Sequence, residues 1–415
     1  MKFYIETYGC TANKADSSII KGVLKTNNHE IVKKSEDADV LIIVTCTVID
    51  TTEQRMLSRI NKLKKQNKKI VIAGCMASVS KEKVSKILPK AIFLPPQYSH
   101  QILDVLKEKN IDFKQKNKTI FPKYFENKIA SISISEGCMF RCSYCITCIA
   151  RGKLKSYPIN EIKDDIRSAL KKGCLEIQIT SQDTSSYGLD IGTTLGALLK
   201  NIGKIDGSHM IRVGMMNPHT CLLNLDSILK GYNNSKIYKF LHIPVQSGDE
   251  EILKKMNRKY SLEDFKKIIR EFRQKYPDIT ISTDVIVAFP TETDEQFDNT
   301  VNLIKEIRPD ITNITRYSAR SFTKAKKMKG RIKTDIAKNR SKVITDICKN
   351  ISKEKNKKKI KRTYKVLITE KRKNEYFGRT ENYKPVILRE NVKIGDMVKV
   401  KIIDSSQTHL VGSII

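Results

Sequence analysis

Gly137-Cys-Met-Phe-Arg-Cys-Ser-Tyr-Cys145 is the stretch from which the rest of the chain can be read. Its cysteines, Cys138, Cys142 and Cys145, are separated by three residues and then by two, and the aromatic Tyr144 precedes the last. Three thiolates on one tight loop can hold three corners of a cubic [4Fe–4S] cluster, whose full set is four. The fourth iron then stays open to a small molecule. Zinc sites instead favour paired Cys-x-x-Cys motifs with further ligands elsewhere. The loop also follows an apolar run, 129–135, that reads as a strand. In barrels of alternating strands and helices, active sites sit at the carboxyl ends of the strands.

Downstream of that strand the pattern repeats. Residues 175–180, 210–215, 238–244, 279–287 and 311–317 read as further strands, with helical patterns at 159–172, 192–203, 223–231, 261–276 and 293–307. Six such units make a partial barrel, open on one side, over 129–355. Upstream, residues 2–7, 38–45 and 69–74 read as strands, the last two as the near-continuous apolar runs of a buried parallel sheet. Helical patterns near 14–27, 51–66 and 79–88 complete an open α/β unit over 1–105. Residues 106–128 are polar and basic, contain Pro122, and read as a linker. Over 360–415, runs beginning at Lys365, Glu375, Pro385, Met397 and Leu410 read as five short strands of a small all-β barrel of OB-like size. The expected fold class is therefore α/β, with a terminal β-barrel.

The formal net charge is +33, from 78 Lys and Arg against 45 Asp and Glu. Such an excess points to a polyanionic partner, nucleic acid first, although a Lys-, Ile- and Asn-rich composition can also follow from genome bias. Lys324 to Tyr364 carries 17 basic and 3 acidic residues, the pattern of a solvated helix or linker that can also line an RNA path. No apolar run reaches transmembrane length. Because the chain starts directly on a strand pattern, with no apolar signal segment, a cytoplasmic location without membrane contact is expected. There the ten cysteines are metal ligands or catalytic groups rather than disulfides.

A second set of cysteines is dispersed. Cys10, Cys46 and Cys75 each fall at or just past the carboxyl end of an expected strand, in Tyr8-Gly-Cys10, Val44-Thr-Cys46 and Ala73-Gly-Cys75. Ligands of open α/β sheets bind at that edge, so three thiolates are expected to converge there, again one short of a full cluster set. Glycines beside Cys10 and Cys75 allow close backbone approach. The bland alternative, three small buried hydrophobes, does not account for their common register. Cys148, Cys174, Cys221 and Cys348 show no such pattern and read as packing residues; Cys148, three residues past Cys145, is the one that can compete as a ligand.

The spacing of the loop cysteines is the signature of the radical S-adenosylmethionine (SAM) superfamily. Together with the second triad and the terminal barrel, the chain resembles the radical SAM methylthiotransferases over nearly its whole length. Thr7-Tyr-Gly-Cys-Thr-Ala-Asn-Lys-Ala-Asp16, Ala150-Arg-Gly-Lys-Leu-Lys-Ser-Tyr157, Ser181-Gln-Asp-Thr184, Gly214-Met-Met-Asn-Pro218 and His242-Ile-Pro-Val-Gln-Ser-Gly248 are similar to the archaeal and eukaryotic enzymes that modify threonylcarbamoyladenosine in tRNA. Members acting on isopentenyladenosine or on a ribosomal-protein aspartate usually have a proline soon after the third cysteine, where this chain has Ile146-Thr-Cys148. Two departures concern loop geometry: Ala288 stands where the family commonly has glycine, and Ser318-Ala-Arg-Ser-Phe-Thr323 lacks the usual Arg-Pro-Gly.

The resemblance implies an N-terminal methylthiotransferase domain, a central radical SAM domain and a C-terminal TRAM domain. It implies two [4Fe–4S] clusters, one on Cys138, Cys142 and Cys145 that binds and cleaves SAM, and one on Cys10, Cys46 and Cys75 that presents sulfur. SAM is used twice per turnover, once as radical source and once as methyl donor. The implied target is carbon 2 of N6-threonylcarbamoyladenosine at tRNA position 37, beside the anticodon, where a single-stranded loop makes unstacking cheap. An electron donor such as a flavodoxin or ferredoxin and a sulfur source are implied as partners. Tyr144 is expected near the SAM adenine and Ser181, Gln182 and Asp183 near its amino group. Arg212, Gln246, Asp284 and Glu292 are weaker candidates for polar contacts. The alternatives are a methylthiotransferase acting on isopentenyladenosine or on protein, and a non-enzymatic iron–sulfur protein that binds RNA or senses redox state.

Overall fold

A computed structural model of the protein describes residues 1–107 and 111–415; residues 108–110 of the expected linker lie outside the described residues. The N-terminal sheet contains β1 (Lys2–Thr7), β2 (Glu30–Val32), β3 (Val40–Thr45), β4 (Lys69–Gly74) and β5 (Ile92–Leu94), all parallel, in the order β2-β1-β3-β4-β5. Every residue of β3 is buried because both sheet faces are covered. Ile19, Ile20 and Leu24 of helix Thr11–Thr26 pack on one face, and Met56, Ile60 and Leu63 of helix Asp50–Lys64 on the other. β2 and β5 were not expected: three residues show no alternation to read. The helix expected over 79–88 is two, Cys75–Val79 and Lys81–Ile87, divided at Ser80.

The stretch expected as a linker is a strap fixed between the two larger units. Lys118 and Lys123 in it are buried, and each ends on carboxylates: Lys118 on Asp16 and Glu136, Lys123 on Asp165.

The central unit carries β6 (Ile129–Ser133), then a short antiparallel pair, β7 (Ser135–Glu136) and β8 (Lys155–Ser156), and then β9 (Glu176–Thr180), β10 (Met210–Val213), β11 (Phe240–His242), β12 (Thr280–Val287) and β13 (Ile311–Arg316). Its sheets, β10-β9-β6 and β11-β12-β13, are parallel throughout and joined by a parallel bridge between Ile211 and Ile237. The result is a six-stranded partial barrel, open between β6 and β13. Short helices Pro218–Leu223 and Glu250–Lys255 and a long helix, Thr334–Lys357, are added to the expected series. The basic stretch is thus largely helix, docked through buried Ile344, Cys348 and Ile351, with most of its lysines outward and Lys355 turned in to Asp310 at 2.8 Å.

β14 (Thr363–Arg372), β15 (Glu375–Thr380), β16 (Pro385–Leu388), β17 (Met397–Ser405) and β18 (Leu410–Ile414) close into a barrel, matching the five expected strands. The Tyr383 hydroxyl donates to Glu176 at 3.0 Å and Lys384 pairs with Asp310 at 3.0 Å, seating this barrel on the central unit.

Candidate active site

The loop after β7 is held by backbone hydrogen bonds from both flanks. Cys138 N donates to Gly152 O at 3.0 Å, Ser143 N to Met256 O at 2.9 Å, and Ala325 N to Ser143 O at 2.8 Å. Gly137 is required at its start: φ is +78°, and a Cβ there would lie 1.9 Å from the Lys153 carbonyl oxygen. Cys138, Cys142 and Cys145 line a cavity of about 340 Å³ at the carboxyl ends of the barrel strands, within the range of small-molecule sites. Arg258, 116 residues away in sequence, donates to Cys142 Sγ at 3.3 Å.

The second set of cysteines comes from neighbouring strands. β1, β3 and β4 are neighbours, so Cys10, Cys46 and Cys75 emerge side by side from one sheet edge. A Cβ on Gly9, where φ is +101°, would lie 2.7 Å from Cys46 Cβ; only glycine lets Cys10 come this near. Cys10 is exposed and Cys46 and Cys75 buried. Burial pushes the thiols of Cys46, Cys138 and Cys145 up, and that of Cys75 up to about 12. Among the described residues no group of three or more His, Cys, Asp or Glu side chains is arranged to hold a metal ion. Cys10 and Cys46 line a cavity of about 690 Å³. Val48 and Ile49 line this cavity and the 340 Å³ one alike.

A buried network ties the triads together. Arg151, at the end of the helix Thr147–Arg151 that follows Cys145, donates to Asp16 and Glu136 at 2.7 Å each and to Asn13 Oδ1 at 2.8 Å. The Cys75 thiol lies 4.0 Å from the same Asn13 oxygen. Ile146 and Ala150 pack on Cys75 and Val79 in one apolar cluster. A second clamp joins Arg320 to Glu53 at 3.0 Å and to Asp50 at 2.8 Å.

The other expected contacts divide. Tyr144 and Gln246 line the 340 Å³ cavity, and the Tyr144 ring meets Phe289 edge-on, with centroids 6.5 Å apart. Gln182 lines it too, and its Oε1, like Ser181 Oγ, is buried without a partner. Such orphaned atoms fit a bound polar ligand. Asp183 reaches the cavity, but its carboxylate accepts four hydrogen bonds, from Ser185 N and Oγ, Asn217 N and Thr220 Oγ1. It caps the local turn. Asp284 lines the cavity and accepts from His242 at 2.9 Å and Asn313 at 2.7 Å; burial opposes its charge, but these donors hold its carboxyl below the ordinary value. Arg212 is not brought to the cavity: its guanidinium stacks over Phe240 and Tyr383, 5.2 and 5.7 Å from their centroids. Glu292 is likewise remote, paired with Arg340 at 2.6 Å and accepting from Ala288 N at 2.7 Å. Cys148, Cys174, Cys221 and Cys348 lie outside both cavities. Asn13 and Arg151 lie in the quoted stretches Thr7–Asp16 and Ala150–Tyr157, but their roles, like that of Arg258, depend on partners distant in sequence.

The partial barrel and its three-cysteine loop define the class, a radical SAM enzyme, which carries a [4Fe–4S] cluster and uses SAM. Family models match in three segments: "Radical SAM superfamily" over residues 132–304, "Uncharacterized protein family UPF0004" over 2–94 and "TRAM domain" over 357–415. Relatives in Archaeoglobus fulgidus and Methanocaldococcus jannaschii, each described as "Probable threonylcarbamoyladenosine tRNA methylthiotransferase", are both 42% identical. Each match covers 100% of this chain and 99% or 97% of the relative. The Homo sapiens "Threonylcarbamoyladenosine tRNA methylthiotransferase" is 36% identical over 79% of this chain and 59% of its own. The chain belongs to this family of threonylcarbamoyladenosine tRNA methylthiotransferases. Among solved structures, the radical SAM methyltransferase TsrM from Kitasatospora setae superposes with a TM-score of 0.56 at 12% identity, over 78% of this chain and 73% of that one. The cobalamin-dependent radical SAM enzyme OxsB gives 0.54 at 10% identity, over 83% and 56%. These two likenesses concern the fold.

Proposed function

We propose that the chain transfers a methylthio group to carbon 2 of N6-threonylcarbamoyladenosine at tRNA position 37. The observation that carries this reading is that Cys10 and Cys46 line one cavity, Cys138, Cys142 and Cys145 line another, and Val48 and Ile49 line both. In this reading Cys138, Cys142 and Cys145 hold one [4Fe–4S] cluster and Cys10, Cys46 and Cys75 a second. When bound, the clusters supply a SAM-derived radical on one side and a sulfur donor on the other. The chain's own residues do the positioning. Arg258 fixes the Cys142 sulfur through its hydrogen bond, Gln182 offers an unpaired oxygen to SAM, and Tyr144 walls the cavity.

RNA binding is supported by charge and its placement. Lys324, Lys326, Lys327 and Lys329 are exposed beside the cysteine loop, to which Ala325 is hydrogen-bonded. They supply phosphate contacts at the mouth of the site, together with the C-terminal barrel. An electron donor and a sulfur source complete the reaction, and a cytoplasmic setting suits its tRNA substrate. The direct test is mass spectrometry of nucleosides from tRNA treated with the reconstituted protein, SAM, a reductant and sulfide. The expected product is 2-methylthio-N6-threonylcarbamoyladenosine. A different methylthio nucleoside in its place would move the protein to another substrate.

A further inference from the structure

Arg316, the last residue of β13, lies exposed where the 340 Å³ cavity meets a neighbouring one of about 490 Å³. The charged side chains lining these two spaces are nearly all committed to protein partners. Asp50 pairs with Arg320 and Asp284 with His242. Asp183 is saturated by its turn, and Arg258 is spent on Cys142 Sγ and Asn217 Oδ1. Arg331 gives one N–H to the Lys326 carbonyl. Among the described residues neither Arg316 nor Arg331 has a carboxylate partner; with Asp50 balanced by Arg320, the three arginines Arg258, Arg316 and Arg331 stand against Asp183 and Asp284, so the double cavity keeps a positive excess at its Arg316–Arg331 end. Beside Arg316, the Tyr317 hydroxyl is buried and unpartnered, its ring fixed 5.2 Å from Phe289.

The geometry points to Arg316 as the residue that recognises the carboxylate of the threonylcarbamoyl substituent, with the Tyr317 hydroxyl donating to a neighbouring oxygen of the same group. This assignment rests on the function proposed above. The substituent ends in a carboxylate, which a guanidinium grips through two parallel N–H donors. It extends from the adenine edge, so a base at the cysteine loop places it further along the opening, towards the 490 Å³ space. The methionine carboxylate of SAM is a poorer occupant, because it travels with an ammonium that needs acceptors, and Arg316 and Arg331 offer none.

The test uses the full chain, reconstituted, and two synthetic anticodon stem–loop RNAs. One carries threonylcarbamoyladenosine; the other carries its carboxamide, which is neutral and nearly isosteric. The quantity read is the ratio of kcat/KM on the acid to that on the amide, taken within each protein so that partial loss of folded enzyme cancels. The wild type is expected to prefer the acid roughly 30-fold. Arg316→Gln is expected to bring the ratio to about 1, and Arg316→Lys to an intermediate value. A wild-type ratio near 1, or an Arg316→Gln ratio equal to that of the wild type, would overturn the assignment. Equal losses on both RNAs would show Arg316 gripping a backbone phosphate and overturn it too. If the wild type methylthiolates neither RNA but does modify another nucleoside in bulk tRNA, the parent reading falls, and this one with it.

Discussion

The two cysteine triads are supported by opposite means. Cys138, Cys142 and Cys145 belong to one loop, fixed by backbone hydrogen bonds to Gly152, Met256 and Ala325 and by Arg258 on Cys142. Cys10, Cys46 and Cys75 come from three strands and owe their proximity to the sheet, while Arg151 and Asn13 set their distance from the loop. A loop site can lose a ligand and keep its frame. A site assembled from strand ends is also an interface between units, so its integrity is coupled to stability.

The largest expected effect separates the two chemically. Cys142→Ala should reduce SAM cleavage to background, whereas Cys10→Ala should retain cleavage to 5′-deoxyadenosine and lose the methylthio product. Deoxyadenosine production that persists in Cys142→Ala would break the division of labour. Next comes the junction. Arg151, Lys118, Asp16 and Glu136 form a buried, charge-balanced set, and removing one partner strands the others. Arg151→Met should cost about 3–5 kcal/mol in urea denaturation of the metal-free chain. Arg258→Gln, on the loop side, should cost far less while lowering SAM cleavage. Equal costs would show that the loop triad is as much a structural joint as the sheet triad.

Protonation probes the sheet side more gently. His100 stacks on Phe121 of the strap, 4.2 Å between centroids, with both ring nitrogens unpartnered, and burial lowers its pKa to about 4. The unfolded chain takes up this proton near pH 6.5, the folded chain only near 4. Stability is therefore expected to fall as pH drops through that window, and His100→Leu should flatten the slope in a pH series of thermal melts. Burial places His209 of the central unit similarly, at about 4, so some slope should remain. The smallest effect sharpens the loop side. Ala288 holds φ at +58°, a left-handed conformation at the position where the family commonly has glycine. Ala288→Gly should raise stability by about 1 kcal/mol, the strain of that conformation less the entropy of glycine. A decrease would show that the Ala288 methyl group packs usefully against the neighbouring 490 Å³ cavity, which it lines.

The loop triad is legible directly, because its spacing and its place after a strand are both local. The sheet triad is legible at one remove. Val40-Leu-Ile-Ile-Val-Thr45 and Lys69-Ile-Val-Ile-Ala-Gly74 read as buried parallel strands, and strand ends gather ligands. What sequence does not show is pairing at long range. Arg151 and Asp16 are 135 residues apart and Arg258 and Cys142 are 116 apart. Nothing in the polar stretch around Lys118 announces that its charge is buried. In sequence Asp183 and Arg212 read as ligand contacts because polar residues at strand ends often are. The fold uses one to cap a turn and stacks the other beneath the C-terminal barrel.

The central claim, two cluster sites with separate tasks, is tested most directly by counting iron. Anaerobically reconstituted wild type is predicted to hold about eight iron atoms per chain, and Cys10→Ala and Cys142→Ala about four each, as single four-iron clusters. Four iron atoms in the wild type, unchanged in Cys10→Ala, would contradict it.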